Sequence, residues 1–349
     1  MATIKDVAAK AGVSTATVSH VINGSRTVTL KTRNKVKAAI AELKYRPDGI
    51  ARSLRVSQTG TVAALIPDIT NPFFAEFVRG VQDFVDNSGE RYNVLLCNTE
   101  ESPARERRAL DLVTERRIDG MIIAPTGDNE EMLADFVESG FPLVLGDRKL
   151  EGNPFDTVVI DNRAAGAQMA KHLLSLGHRR FGVLQAALAS SAIDERVEGF
   201  AAALKETGVE LDSALVVRCP STIADGETAG LALLDAAPRP EAIFCTNNFM
   251  TLGMIQAVAT RNLDCPEDIA VVGVDDFPWA AAFRPRLTVM SQPAYEIGRE
   301  AAGMLFDRIS GRRTGEPVQV TLAAKLIVRE SCGAGEARQQ DKDMRPASA

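Results

Sequence analysis

The residues best suited to chemistry in this 349-residue sequence stand just after short apolar runs. Asn71, Phe73 and Phe74 follow TVAALIP, and Asp147 and Arg148 follow PLVLG. Asn247 follows AIFC, Asp275 follows VVGV, Gln292 follows LTVMS, and Arg196 lies near the start of a helical stretch. Carboxylates accept paired hydrogen bonds, arginine donates them in a planar fork, and Asn and Gln do both. Such a set can hold the vicinal hydroxyls of a sugar while a Phe face covers its C–H groups. The same groups could do acid–base work, but the P-loop, HExxH, GxSxG and GxGxxG patterns are missing and nothing marks an activated nucleophile. Singly, each residue has a plainer role open to it: Asp147 or Asp275 as a helix cap, Phe73 or Phe74 as core. His20, His172 and His178 lack zinc-site spacing, so no metal or cofactor is expected. Five scattered cysteines without a CxxC pair fit a reduced, cytoplasmic protein.

These residues need a scaffold, and the pattern supplies one. Beyond Thr59, TVAALIP, YNVLLCN, DGMIIAP and PLVLGD read as buried parallel strands separated by helices near 72–87, 103–117 and 129–139. The series then restarts at TVVI and runs through RFGVLQ, ALVV, AIFC and IAVVGV, with helices near 162–176, 193–207, 224–236 and 248–260. Two consecutive βα series predict two α/β subdomains with a ligand cleft at the carboxyl ends of their strands.

The first 60 residues differ in kind. They hold 11 Lys and Arg against 3 Asp and Glu, a charge of +8, whereas the remainder holds 29 against 43, a charge of −14. A basic head on an acidic body points to nucleic acid. Thr3 and Asp6 form a capping-box start to a helix whose apolar stripe is Ile4, Val7, Ala8 and Ala11. Gly12 makes the turn, Ser14 caps TATVSHVIN, and a third helix follows from about 29 to 44. Two short helices joined by a tight turn predict a helix-turn-helix, whose second helix enters the major groove. Its outward side chains, Thr15, Ala16, Thr17, Ser19, His20 and Asn23, suit base edges, and Lys5 with the basic third helix suits phosphates.

TIKDVAAKAGVSTATVSHVING, YRPDGIARSLR and NPFFAEFVRGV make the chain resemble the LacI/GalR family of bacterial transcription regulators, from about Thr3 to Cys332. TVSHVIN is similar to the purine and ribose repressors, and the body resembles periplasmic sugar-binding proteins of the ribose type. The resemblance implies a small all-α helix-turn-helix head plus an α/β periplasmic-binding-protein-like body of two doubly wound subdomains. It implies base contacts from Thr15, Ala16 and His20, with Ser19 and Asn23 in support. It implies a hinge helix that forms on DNA, with Leu54 wedged into a base step and Arg52 and Arg55 near phosphates. Asn71, Phe74, Asp147, Arg148, Arg196, Asn247, Asp275 and Gln292 fall on ligand-contacting positions, with Phe73 beside them. The Asp147–Arg148 pair is typical of members that bind sugars or sugar derivatives. Purine repressors carry a second aromatic where CPSTI places Ser221 or a neighbour. Asn248 stands where Asp is usual, and Gln185–Ala187 replaces a Gly-Gly-Pro turn.

The expected organisation is a DNA-binding domain over 1–46, a hinge and linker over 47–59, and a ligand-binding domain over 60–332. Its first subdomain takes about 60–160 and 291–321, its second about 161–290 and 322–332, and 333–349 forms a disordered tail. The expected protein is a repressor that binds a palindromic operator as a homodimer and senses a sugar-like effector. A purine-type, corepressor-dependent regulator is the alternative, and a sugar-acting enzyme a more distant one. No apolar run reaches 18 residues and the N-terminus lacks the pattern of a secretory signal, so neither a membrane partner nor export is expected.

Overall fold

The computed structural model describes residues 2–23, 26–45, 59–150, 152, 155–187, 190–278 and 280–334. Arg52, Leu54 and Arg55 of the hinge, the side chain of Asn23 and the tail beyond Ala334 lie outside the described residues. The chain divides into two compact units between Thr59 and Gly60.

The smaller unit is built from α1 (Ile4–Ala11), α2 (Thr15–Asn23) and α3 (Leu30–Glu42). Thr3 and Asp6 cap α1 reciprocally: the Asp6 amide donates to Thr3 Oγ1 at 3.3 Å and the Thr3 amide donates to Asp6 Oδ2 at 2.8 Å. Gly12 ends the helix in the left-handed region (φ 66°), which turns the chain at once into α2. Ser14 Oγ accepts from the Thr17 amide at 3.2 Å, so α2 starts where its cap dictates. Val7, Ala8, Ala11, Val18, Val36 and Ala39 are buried together, with Val21, Ile22, Ile40 and Leu43 partly buried against them. A core this small leaves one side of α2 free, and Thr15 and Ala16 there are exposed.

In the larger unit β1 (Thr61–Ile66), α4 (Pro72–Asn87), β2 (Asn93–Asn98), α5 (Pro103–Glu115), β3 (Gly120–Ile123), α6 (Glu130–Glu138), β4 (Leu143–Gly146) and β5 (Asp156–Ile160) alternate. The second series is α7 (Asn162–Ser175), β6 (Phe181–Ala186), α8 (Ser191–Glu206), β7 (Val216–Cys219), α9 (Ile223–Leu234), β8 (Ala242–Cys245), α10 (Asn248–Thr260), β9 (Ala270–Val274) and β10 (Thr288–Ser291). The chain ends with α11 (Ala294–Ile309), β11 (Gln319–Leu322) and β12 (Lys325–Ile327). The first sheet runs β11-β5-β4-β3-β1-β2 and the second β12-β10-β9-β8-β6-β7. Every pairing is parallel except β10 with β12. The two series therefore repeat one doubly wound order, 2-1-3-4-5, with a final strand added to each sheet.

TVVI does not open the second series. That segment is β5, which pairs with β4 in the first sheet, and the second sheet begins at β6. Helix α11 then returns to the first half, packing on α4 and on β3, β4 and β5. Three crossovers thus join the halves. No described helix is long and apolar enough to cross a membrane.

Candidate functional site

The carboxyl ends of both sheets face one cavity of about 530 Å3, including its open mouth. All nine residues read from the sequence as a ligand set line it. Eight are buried, and Gln292 is half-buried.

Asn71 and Asn247 occupy equivalent places, each capping the helix that follows a strand. Asn71 Oδ1 accepts from the Phe73 amide at 3.0 Å, and Asn247 Oδ1 accepts from the Met250 amide at 2.9 Å. Their amide groups remain to meet other partners, and Asn247 Nδ2 donates to Ser221 Oγ at 2.9 Å. Phe73 and Phe74 meet edge to face, with centroids 5.0 Å apart. They are both core residues and cavity walls.

Asp147 and Asp275 cap no helix. Each follows a strand in the left-handed region, at φ 68° and 74°, and each amide continues its ladder, to Val158 O at 3.0 Å and Met290 O at 2.9 Å. Non-glycine residues adopt this conformation rarely, and such strain gathers at functional sites. Between the two carboxylates lies Arg196, projected from α8. Its Nε donates to Asn162 Oδ1 at 2.8 Å and its Nη1 to the Thr246 carbonyl at 2.9 Å. Burial pulls its pKa down, while Asp275 and Asp147 pull it back up. Burial pushes the Asp147 carboxyl above its ordinary range, with Arg148 and Arg196 opposing. Burial likewise pushes Asp275 up to about 6, opposed by Arg196 and by Gln292, whose Nε2 donates to Asp275 Oδ1 at 2.7 Å.

That shift has a sign. A carboxyl with a raised folded pKa adds stability that is present below its unfolded value and is lost as pH rises through about 6. Replacing Asp275 by Asn should therefore stabilise the effector-free protein at pH 7.5, by roughly 2–3 kcal/mol, and change little near pH 4. A rotated Gln292 amide can then accept from the new side chain, because Gln292 Oε1 has no protein partner. Melting curves at the two pH values check this, and equal effects at both would refute the assignment.

Sequence reasoning missed Glu101, Asp68, Phe249, Ile193, Ala192 and Ser190, all of which line the cavity. Ser190 precedes α8 as Asn71 precedes α4, so the internal repeat could have found it. Nothing local marks Glu101. Several contacts tie the halves across the cleft: Asn248 Nδ2 donates to Asn71 Oδ1 at 2.7 Å, and Lys149 pairs with Glu195 at 2.6 Å. Ser191 Oγ also accepts from the Lys149 amide at 3.1 Å and donates to its carbonyl at 3.0 Å. The customary rim turn is replaced by the end of β6, where Gln185 Nε2 donates to Asp194 at 2.8 Å.

In the head, Thr15, Ala16 and Lys5 are exposed, and Ser19 and His20 are half-buried. The basic side chains of α3, at Lys31, Arg33, Lys35 and Lys37, are exposed as well. The arrangement suits a groove-reading helix flanked by phosphate contacts.

Residues 3–48 match the model of bacterial regulatory proteins of the lacI family, and residues 59–330 that of periplasmic binding proteins and the sugar binding domain of the LacI family. The HTH-type transcriptional repressor PurR of Photobacterium profundum is 36% identical over 338 residues, covering 95% of this chain and 98% of that repressor. The transcriptional regulator CelR, solved in complex with cellobiose, is 34% identical with a TM-score of 0.71, over 95% of this chain and 100% of that one. The lac repressor dimer, solved bound to operator and the anti-inducer ONPF, shares the fold, with a TM-score of 0.83 at 24% identity over 95% of this chain and 99% of that one. The chain therefore belongs to the LacI family of bacterial transcriptional regulators, as a helix-turn-helix, ligand-responsive repressor and not an enzyme.

Proposed function

We propose that this repressor senses a sugar or sugar derivative in the cleft between its α/β halves and releases a palindromic operator when the sugar binds. It works in the cytoplasm as a homodimer, since two recognition helices double the length of DNA read. In this reading Thr15, Ala16, Ser19, His20 and Asn23 meet bases, and Lys5 meets phosphate. The hinge within 47–59 brings Leu54 to a base step and Arg52 and Arg55 to the backbone. Residues 1–46 form the DNA-binding domain and 60–332 the sensor.

The observation that carries the sugar reading is the convergence of buried Asp147, Arg196 and Asp275 with half-buried Gln292 at one cavity. Vicinal hydroxyls need such paired donors and acceptors. The CelR relative solved with cellobiose supports it. A purine-type, corepressor-dependent reading draws on the PurR relatives. A planar base gains most from stacking between two faces, and in the segment where purine repressors carry a second aromatic this cavity is lined by Ser221, which is hydrogen-bonded to Asn247. Sugar binding stabilises the closed arrangement of the halves, and closure alters the spacing of the paired hinges, so the two ligands favour different states.

A thermal-shift panel of pentoses, hexoses, sugar acids and purines tests the reading. Stabilisation by a sugar at concentrations above its Kd is expected. Stabilisation by purines alone would establish the corepressor reading instead.

A further inference from the structure

Glu101 stands in the turn between β2 and α5, one residue before the Ser102 cap. Glu100 and Glu101 are both left-handed, at φ 50° and 51°. Two adjacent non-glycine residues in this region mark a turn held for a purpose other than local comfort. What the turn achieves is aim. Glu101 Oε2 accepts from Arg148 Nη1 at 2.8 Å, and Oε1 accepts from Nη2 at 2.5 Å, a fork-to-fork pair. Nη1 also donates to the Pro125 carbonyl at 3.1 Å, and Nε lies 3.5 Å from Asp147. Burial works against the Arg148 cation, but Glu101, together with Asp147 and Glu106, more than offsets it and holds the guanidinium charged. The fork of Arg148 is thus occupied by protein.

The charges on the cavity wall do not cancel. Asp68, Glu101, Asp147 and Asp275 face Arg148 and Arg196, an excess of two negative charges. Arg196 already donates to Asn162 and Thr246. One buried acceptor on this wall, Gln292 Oε1, has no partner. A ligand rich in hydroxyl donors is welcomed by such a wall. A phosphate or carboxylate would add like charge to a wall already negative, and the Arg148 fork is engaged.

We propose that Glu101 sets the charge selectivity of the cleft: by holding Arg148 it makes the sensor take uncharged sugars and reject sugar phosphates and sugar acids. This rests on the sugar reading of the same cavity, and it names the effector's charge class and the residue that fixes it.

The test uses the full chain, wild type and Glu101→Gln, with Glu101→Asp as the charge-preserving control. One arm titrates inorganic phosphate alone and follows melting temperature at constant ionic strength. The wild type and Glu101→Asp should show no saturable stabilisation, whereas Glu101→Gln should gain it, and a further Arg148→Met change should remove it. The other arm measures calorimetric affinity for two pairs, D-ribose with D-ribose 5-phosphate and D-glucose with D-glucose 6-phosphate. The wild type should prefer the uncharged member of any pair it binds by about tenfold or more, and Glu101→Gln should narrow that ratio by about tenfold. Equal or tighter binding of the phosphorylated member by the wild type overturns the proposal without recourse to any variant. So does a Glu101→Gln protein, folded by circular dichroism, that behaves as wild type in both arms. If neither protein binds any sugar while Glu101→Gln gains phosphate, the charge gate stands and the sugar reading falls.

Discussion

Replacing Arg196 with alanine should abolish effector binding and cost about 3–5 kcal/mol of stability at pH 7.5, as is typical when one partner leaves a buried ionic cluster. The guanidinium is 4% exposed and donates to Asn162 and Thr246. It also moderates both Asp147 and Asp275, whose carboxyls burial already pushes upward. Without it, two buried carboxylates share a site with no cation between them. They can escape only by taking up protons, so the loss of stability should shrink as pH falls below about 6. Arg196→Lys separates charge from geometry. It keeps a cation between the carboxylates, so most stability should survive, but it lacks the planar fork, so effector affinity should still collapse. Urea unfolding at pH 7.5 and pH 5, with calorimetry of the best sugar from the panel, gives both readouts. A stable Arg196→Ala protein with unaltered affinity would remove Arg196 from the site.

The second large effect concerns a residue that touches no ligand. A Cβ on Gly166 would lie 2.0 Å from the Arg196 carbonyl oxygen, and one on Gly199 would lie 2.0 Å from the Arg163 carbonyl oxygen. Helices α7 and α8 therefore cross backbone to backbone at a reciprocal pair of glycines. Gly166→Ala must push α8 outward at the turn that carries Arg196. Overpacking of this kind costs about 1–3 kcal/mol. Displacing the guanidinium should also weaken effector binding by about tenfold, equivalent to one hydrogen bond of the fork. Gly303→Ala is the contrast, because its Cβ would meet only the Phe84 ring, from 3.4 Å outward. There the gain in helix propensity should leave stability unchanged or higher, by up to about 1 kcal/mol. Equal melting temperatures for the two variants would show that α7 and α8 yield at no cost.

These two cases show what could be read from the sequence and what could not. The apolar runs before Asp147 and Asp275 announce strands, and the polar residues just after them must lie at a sheet's carboxyl end. Asn71 and Asn247 announce helix starts by chemistry alone. All of these are local signals. Glu101 belongs to ESPARERR, which reads as an ordinary charged helix start, and its partner Arg148 is 47 residues away. The Asn71–Asn248 contact spans 177 residues. The first pair exists only once β2 and β4 share a sheet, and the second only once the two halves meet at the cleft. TVVI reads as the opening of the second series for a related reason: a four-residue apolar run carries no information about which sheet it joins, and only its pairing with β4 decides. Helix α11 has ordinary amphipathic periodicity, but nothing in that periodicity says that the chain crosses back to the first sheet to use it.

The central claim is that a sugar in the cleft governs the grip of the head on DNA. Its most direct test is an anisotropy titration of a palindromic duplex that the full-length protein has itself selected from random DNA. The titration is run with and without the sugar that stabilises it best, and with hypoxanthine and guanine in parallel. The predicted result is a steep salt dependence of binding and an increase in the operator Kd with the sugar and not with the purines. Tighter operator binding with a purine, and no response to any sugar, would contradict it.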